Sequence, residues 1–493
     1  MATSCIENMQ DNLTQAQEMT WKNLAKANLA TTVPFKLALD TQDASSIECE
    51  KILRVIPGKR LIVAATWNDQ PVVAKLFYEP WKAKRHSTRE LKGIETLLTS
   101  GVPTPKLLFH GTAQKKRVSV LLFEHVMEAR NLYDVWQEQA DLEELTTLMQ
   151  AVTIELATQH VLGIVQRDLH LKNFLLKNNQ ILTLDGGSIQ CFHKSLAKKP
   201  SLDHLGLFFA QLGVGTEQLQ QELFQTYVRA RGWIVKSVDV RYLQTVIKKW
   251  HRRRWQRYVA KLKRSSSAFA KIATPQKWIM YDRNYDLPEF QQFLANPEAI
   301  FNQQPTKILK AGRTSTVAKI TLDNKVFVVK RYNVKGVWHW LRRSLRPTRA
   351  VASWQLAHLL RLFGIPTAKP VACIEKRFLG LRNKSYFVME YISGAHLGDY
   401  FKHYQKEDTR FVTMAARVMA LFNNLAKLRI SHGDLKMTNI LIENERPILI
   451  DLDGVTEHRS VKKVQRAYKN EIKRFMQNWE DRPDVKKLFE ELI

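Results

Sequence analysis

The sequence predicts an α+β chain made of two tandem copies of one domain, each a small β-rich lobe followed by a mostly helical one. Three observations carry that reading. Gln166–Ile189 (QRDLHLKNFLLKNNQILTLDGGSI) and Ser431–Val455 (SHGDLKMTNILIENERPILIDLDGV) each read as loop, strand, tight turn, strand. Asp168, Asn173 and Asp185 of the first stretch recur 266 residues later as Asp434, Asn439 and Asp451, and Glu124 recurs as Glu390 at the same offset. That offset is far longer than the roughly 20–50 residues of a solenoid period, so the repeating unit is a whole domain. Finally, β-rich runs precede each repeated stretch, and helical patterns flank it.

Taken in order, residues 1–50 are polar and mixed, with a short helix expected around Ala16–Ala30 and an irregular lead-in. The first domain spans 51–235. Ile62–Thr66 and Val72–Phe77 are β-rich runs joined by a turn at Asn68–Asp69. Lys75 lies on the second run, and upstream Gly58 is the one candidate for a tight phosphate-covering turn. Arg89–Ser100 has helical periodicity, with Leu91, Ile94, Leu97 and Leu98 on one face. Glu90 and Glu95 compete as its functional carboxylate. Leu142–His160 and Thr216–Gly232 are amphipathic helices, the second ending at a glycine.

Residues 236–305 are expected to bridge the copies. Within Val240–Arg264, the segment Lys248–Arg264 (KKWHRRRWQRYVAKLKR) has no acidic residue and sets Trp250, Trp255 and Tyr258 among its cations. It reads as a solvated basic helix or as one that binds anions or a membrane surface. Ser265–Pro305 is expected to be a linker with some helix, punctuated by four prolines. The second domain, 306–493, opens at Ile308–Ile320. There Gly312 allows a close approach and Thr314–Thr316 offer N–H groups and hydroxyls. Lys330 lies on the next strand. A basic-aromatic insert follows, with Trp338, His339, Trp340, Arg342, Arg343, Arg346 and Arg349, and Trp81–Arg89 is its shorter counterpart. Register puts Ser353 where the first copy has Glu90. After Asp451 the pattern allows two helices, Ser460–Trp479 and Pro483–Ile493, and so a short second helical lobe.

Composition restricts the partners. The formal net charge is +29 and the pI about 9.9. Such a balance suits nucleic acid, an acidic membrane surface or a phosphorylated substrate. No nucleic-acid reader motif accompanies the charge, so nucleic acid is not the expected partner. Cys5, Cys49, Cys191 and Cys373 are scattered without a C-x-x-C pair, which fits reduced thiols and no zinc site. The first residues lack a signal-peptide pattern, and no run approaches the ~20 apolar residues of a spanning helix. The expectation is a cytoplasmic protein, soluble or peripheral.

Asp-x4-Asn followed by a strand-end Asp is the donor set that phosphoryl transfer from ATP requires. One carboxylate faces the attacking hydroxyl, and an amide with a second carboxylate holds magnesium. Asp168 and Asp434 are the candidate bases. Asn173 with Asp185, and Asn439 with Asp451, are the candidate magnesium ligands. Asp453 is the rival to Asp451, which alone keeps the spacing seen in the first copy. Both halves resemble the protein-kinase-like fold. Through VVKRYN, VKGVWHWLRRSLRPTRAVASW, GIPTAKPVA and VMEYISG, the chain is similar to the bacterial lipopolysaccharide core kinases, which phosphorylate Kdo or heptose. The resemblance implies ATP and Mg2+ as cofactors. It implies a lipopolysaccharide-core or other anionic acceptor, beside an acidic membrane surface at the inner face of the bacterial inner membrane. It makes Lys75 and Lys330 the phosphate-contacting lysines, with Glu90 as partner of the former. Gly312, Val317 and the hinge residues Glu124 and Glu390 join the nucleotide-binding set. Lys436, two residues after Asp434, would stabilise the migrating phosphoryl group, and His170 stands at its place in the first copy.

The copies thus have complementary defects. The first has Glu90 but a poor phosphate loop; the second has the better loop and Lys436 but no visible helix glutamate. Either another carboxylate serves the second copy, or it binds nucleotide less strictly, or it is not catalytic. A protein serine/threonine kinase and a non-catalytic scaffold binding an anionic partner are the competing readings.

Overall fold

The computed structural model describes residues 17–27, 31, 33–43, 45–138, 142–302, 307–334, 336, 344–403 and 408–493. Trp338, His339, Trp340, Arg342, Arg343 and Cys5 lie outside the described residues, as does part of the helix expected over 16–30. The chain divides into two compact units, Met1–Phe208 with Glu222–Leu243, and Phe209–Gln221 with Gln244–Ile493.

The first unit is built on a seven-stranded sheet. Its strands are β1 (Gln17–Glu18), β2 (Phe35–Ala38), β3 (Ser46–Ile56), β4 (Arg60–Trp67), β5 (Gln70–Phe77), β6 (Leu107–Ala113) and β7 (Val118–Glu124), in the order β1-β2-β3-β4-β5-β7-β6. The lead-in is therefore not irregular. β2 alternates buried and exposed residues, and Phe35, Leu37, Ile47 and Cys49 join the sheet's core. A short helix α1 (Trp21–Ala25) is capped by the Thr20 hydroxyl. Helix α2 (Ala83–Thr99) crosses between β5 and β6.

The helical part contains α3 (Leu132–Glu138), α4 (Leu142–Val161), α5 (Lys198–Phe209) and α6 (Glu217–Ala230). Small strands stand between them: β8 (Arg130–Asn131), β9 (Ile164–Gln166), β10 (Phe174–Lys177), β11 (Gln180–Thr183) and β12 (Ile189–Cys191). β10 and β11 form the hairpin that the sequence anticipates, turning at Asn178-Asn179, where both φ values are positive.

Helix α7 (Ser237–Lys261) carries the basic segment. In the second unit Trp255, Tyr258 and Leu262 pack against the core that holds Trp354 and Phe363. The Tyr258 hydroxyl meets His358 Nδ1 at 3.1 Å, and His251 packs edge-on against Phe363. Positions 251, 255, 258 and 262 form one helical stripe, so this helix has a buried face rather than charge all round. The segment expected to be a linker is also structured. β13 (Phe269–Ala273) and β14 (Lys277–Asp282) form a hairpin whose second strand pairs with the main sheet, and α8 (Pro288–Ala295) follows. The remaining strands are β15 (Lys307–Ala311), β16 (Ser315–Leu322), β17 (Lys325–Tyr332), β18 (Pro370–Phe378) and β19 (Leu381–Glu390). The order is β13-β14-β18-β19-β17-β16-β15.

Helix α9 (Arg349–Leu362) begins at Thr348, whose hydroxyl caps it. Beyond the sheet come β20 (Ala395–His396), α10 (Leu397–His403), α11 (Thr409–Lys427), β21 (Ile430–Ser431), β22 (Ile440–Glu443), β23 (Arg446–Leu449) and β24 (Thr456–Glu457). The last two helices are α12 (Val461–Gln477) and α13 (Pro483–Leu492). Phe401, Phe411, Phe422, Phe475, Trp479 and Phe489 lock this short lobe into one core, mostly edge to face. No helix among the described residues is long and apolar enough to cross a membrane.

Candidate active site

Both units build the same loop from the same bonds. Asn173 Nδ2 donates to the Asp168 carbonyl at 2.8 Å, and Asn439 Nδ2 donates to the Asp434 carbonyl at 2.8 Å. With the amide nitrogen so engaged, the amide oxygen is the atom left for a cation. The Leu184 N–H donates to the Asn173 carbonyl at 2.7 Å, as Ile450 N–H does to Asn439 at 3.0 Å. These bonds bring Asp185 and Asp451 beside the loop. Both aspartates are left-handed, with φ of 67° and 58°, which costs a non-glycine residue energy and turns each carboxylate out of its strand. Thr104 and Thr367 pin the strand ends, donating to the Thr183 and Leu449 carbonyls.

In the first unit Lys75 donates to Glu90, which is buried on α2. The buried face of α2 is Ser87, Glu90, Gly93, Ile94 and Leu97, with Leu98 exposed. That face is rotated from the one the apolar residues outline, because a charged residue and a glycine are turned inward. The reason is close backbone contact. A Cβ on Gly93 would fall 1.9 Å from the Gly186 carbonyl oxygen, so helix and aspartate turn meet glycine to glycine. The Gly187 N–H then donates to Glu90 at 3.2 Å. Burial and the Asp185 charge push the Glu90 carboxyl up against the pull of Lys75. Asp185 is held below the usual carboxylate range. Burial raises it, but Lys75, the hydrogen bond with Glu90, Arg60 and Arg54 outweigh that. Arg60 reaches Glu90 at 3.9 Å. Arg54 and Arg60, which flank the Gly58 turn, do not stand out in the sequence. Basic residues beside a weak phosphate loop were the available signal.

The second unit solves the same problem differently. Lys330 is almost fully buried and donates to Asp451 Oδ1 at 2.7 Å, with Asp453 Oδ2 at 2.9 Å. Asp453 also accepts from the Tyr332 hydroxyl at 2.6 Å and from Ser353 Oγ at 3.4 Å. Asp453 thus stands beside Asp451 on the same lysine. Three positions exchange together. Glu90, Phe77 and Gly187 of the first unit correspond to Ser353, Tyr332 and Asp453 of the second. A Cβ on Gly187 would lie 2.8 Å from the Glu90 carboxylate, so one site has no room for both acids. The carboxylate comes from the helix in one unit and from the loop in the other.

Around the second loop, Asp434 Oδ2 accepts from Asn439 Nδ2 at 3.1 Å and pairs with Lys436 at 2.9 Å. Burial works to raise Asp434, and Lys436 with Asn439 outweighs it, holding the carboxyl low. Asp451 is likewise held low against burial, chiefly by Lys330. Helix α12 supports the loop from behind. Arg474 donates to the Gly433 carbonyl at 2.8 Å, and Glu471 accepts the Gly433 N–H. Neither residue stood out in the sequence. In the first unit His170 accepts the Lys172 N–H at 3.2 Å, and Lys172 lies over the Tyr133 ring.

Val317 pairs with Lys330 across β16 and β17. The Gly312 N–H donates to the Ser315 carbonyl at 3.0 Å, closing a tight turn. The carboxylates of the hinge residues face elsewhere. Glu124 accepts the Lys106 N–H at 3.0 Å, and Glu390 takes the Tyr285 hydroxyl with Lys369 at 3.4 Å.

Two sheet-and-helix units, each with a strand lysine on a carboxylate and an Asp-Asn-Asp loop, define a phosphotransferase of the kinase type. The model of the lipopolysaccharide kinase (Kdo/WaaP) family matches residues 74–205 and 301–493. The chain belongs to that family, and it is a lipopolysaccharide kinase. No curated protein matches it.

Proposed function

We propose that the chain phosphorylates a hydroxyl of an inner-core sugar, Kdo or heptose, at the cytoplasmic face of the inner membrane, and that the second unit carries the transfer. The observation that supports this is the pair Asp451 and Asp453 on Lys330, in the same unit that pairs Lys436 with Asp434. Asp434 orients the acceptor hydroxyl and takes its proton late, a contribution typically of 10²–10⁴-fold. Lys330 and Lys436 neutralise phosphate charge on the two sides of the transferred group. Asn439 and Asp451 offer magnesium the hard oxygen donors it prefers. Bound there, the ion would neutralise the phosphates of ATP. In the first unit Asn173, Asp185 and Lys75 form a second nucleotide site, with Asp168 as its base.

The test is ATP consumption by the purified chain with lipopolysaccharide core, with a casein-like protein, or with buffer alone. Turnover should rise with the core only. A rise with the protein substrate would make this a protein kinase, and no turnover in any arm would leave a non-catalytic scaffold that binds an anionic partner.

A further inference from the structure

Five hairpins among the described strands close on two residues, with both φ values positive. Four of the tips are Asn68-Asp69, Asn178-Asn179, Asp323-Asn324 and Asn444-Glu445. Asn and Asp tolerate this turn, and bulky residues do not. The fifth tip, between β18 and β19, is Leu379-Gly380, with Leu379 at φ 49°. Leu379 is 85% exposed and the preceding Phe378 57% exposed. The tip therefore breaks a local rule and gains no burial for it. Such a site points to a partner.

The neighbourhood says which kind. The Leu345 carbonyl accepts from Arg382 at 2.8 Å, and the Leu345 side chain is 79% exposed. A second large apolar residue thus stands beside the hairpin, followed by exposed Arg346. Behind the tip, Lys376 faces Lys277 directly across β18 and β14. Among the described residues neither lysine has a carboxylate at ion-pair distance, and like charges set opposite each other destabilise a sheet. Strands rise about 3.3 Å per residue, so Lys376 lies roughly 10 Å behind Leu379. Apolar tip and cationic belt are spaced as the acyl boundary and the phosphate layer of a bilayer are.

We infer that the β18–β19 tip with Leu345 is the element by which the second unit enters an acidic bilayer surface. This rests on the lipopolysaccharide reading above and replaces the basic helix α7, whose Trp255 and Tyr258 are packed inward, as the apolar anchor. Two leucines would settle at the acyl boundary, while Lys277, Arg346 and Lys376 meet lipid phosphates. An acceptor anchored in the same bilayer would then be met at high effective concentration.

The experiment is cosedimentation of the full chain with vesicles of phosphatidylethanolamine and phosphatidylglycerol, or of phosphatidylcholine alone. Wild type should sediment with the acidic vesicles and not with the neutral ones. Leu379→Asn with Leu345→Gln should weaken acidic-vesicle binding about tenfold or more. Asparagine suits the turn, so the variant should melt no lower than wild type. It should also consume ATP normally with deacylated, water-soluble core sugar. Arg252→Gln with Arg253→Gln on α7 should matter much less. A double-leucine variant that sediments like wild type, or a wild type that ignores acidic vesicles, overturns the inference. So does concentration-dependent dimerisation abolished by the same substitutions, which would make a second copy the occupant. A wild type that binds acidic vesicles but phosphorylates no core sugar sinks the proposed function and leaves this inference standing. One that phosphorylates deacylated sugar and ignores vesicles does the reverse.

Discussion

At the scale of single residues, the two units hold their strand lysines by alternative means. The first uses Glu90 and needs Gly187; the second uses Asp453 and needs Ser353, with Tyr332 filling the volume between. Asp453→Gly should therefore cost about 10–100-fold in turnover, because a charge-assisted bond to a buried lysine contributes about 1.5–3 kcal/mol. As Asp451 remains, a raised KM for ATP should accompany the lower kcat. Adding Ser353→Glu and Tyr332→Phe rebuilds the first unit's arrangement and should recover part of the loss. If the triple variant is no better than Asp453→Gly, the exchange is coincidental. By contrast, Asp434→Asn should lower turnover by ~10²-fold or more with ATP binding intact, since its carboxylate acts on the acceptor. Wild-type turnover in that variant would remove the base assignment from the second unit.

At the scale of elements, closeness of backbone decides function where side-chain pattern does not. Helix α2 lies on the Asp185 turn because Gly93 and Gly186 both lack a Cβ. Gly93→Ala should push the helix off the turn and separate Glu90 from Lys75. The cost should be about 1–3 kcal/mol, the usual range for overpacking, and a fall of several degrees in the first unit's melting midpoint. An unchanged midpoint would mean that the turn can retreat freely. This contact also marks the limit of what the sequence displays. The spacing of Asp168, Asn173 and Asp185, and of their repeats, is local, so both Asp-x4-Asn loops and their hairpins are legible. The helices α4 and α6 are legible from their periodicity, whereas α7 is legible as a basic helix without its inward stripe of Trp255, Tyr258 and Leu262. The inward face of α2 was not, because Glu90 and Gly93 read as polar or neutral until Gly186 is set against them. Nor was the path of Phe269–Asp282, which lies within the proline-punctuated Ser265–Pro305 and looks like linker, yet pairs with β18 far along the chain. The same holds for Asp453: its lysine is 123 residues away, and only the fold joins them.

At the scale of the whole molecule, each unit should respond to solution conditions on its own account. Both bury neutral histidines. In the first unit, burial holds His160 far below its ordinary pKa and His204 at about 4. A directed chain fixes their tautomers: Arg231 donates to Tyr227, Tyr227 to His160, His160 to His204, and His204 to the Gln166 carbonyl two residues before Asp168. In the second unit burial lowers His251 to about 4 and His358 to about 3. All four folded values lie below the unfolded value near 6.5, so the unfolded chain binds more protons in between. Stability should be full above pH 6.5 and fall as the pH drops toward 4, by about 1.4 kcal/mol per pH unit for each histidine. His204→Gln should flatten that slope by one proton in the first unit alone, as denaturant titrations at pH 7, 6 and 5 would record. Nucleotide should act in the opposite direction. If both units bind Mg-ATP, each should be stabilised by RT ln(1 + [L]/Kd), about 2.7 kcal/mol at a hundredfold excess over Kd. Two ATP-dependent thermal shifts are then expected, with Lys75→Ala abolishing one and Lys330→Ala the other. Loss of only one shift across both variants would leave a single nucleotide site in the tandem. Absence of any shift in the wild type at millimolar Mg-ATP would show that neither strand lysine meets a nucleotide.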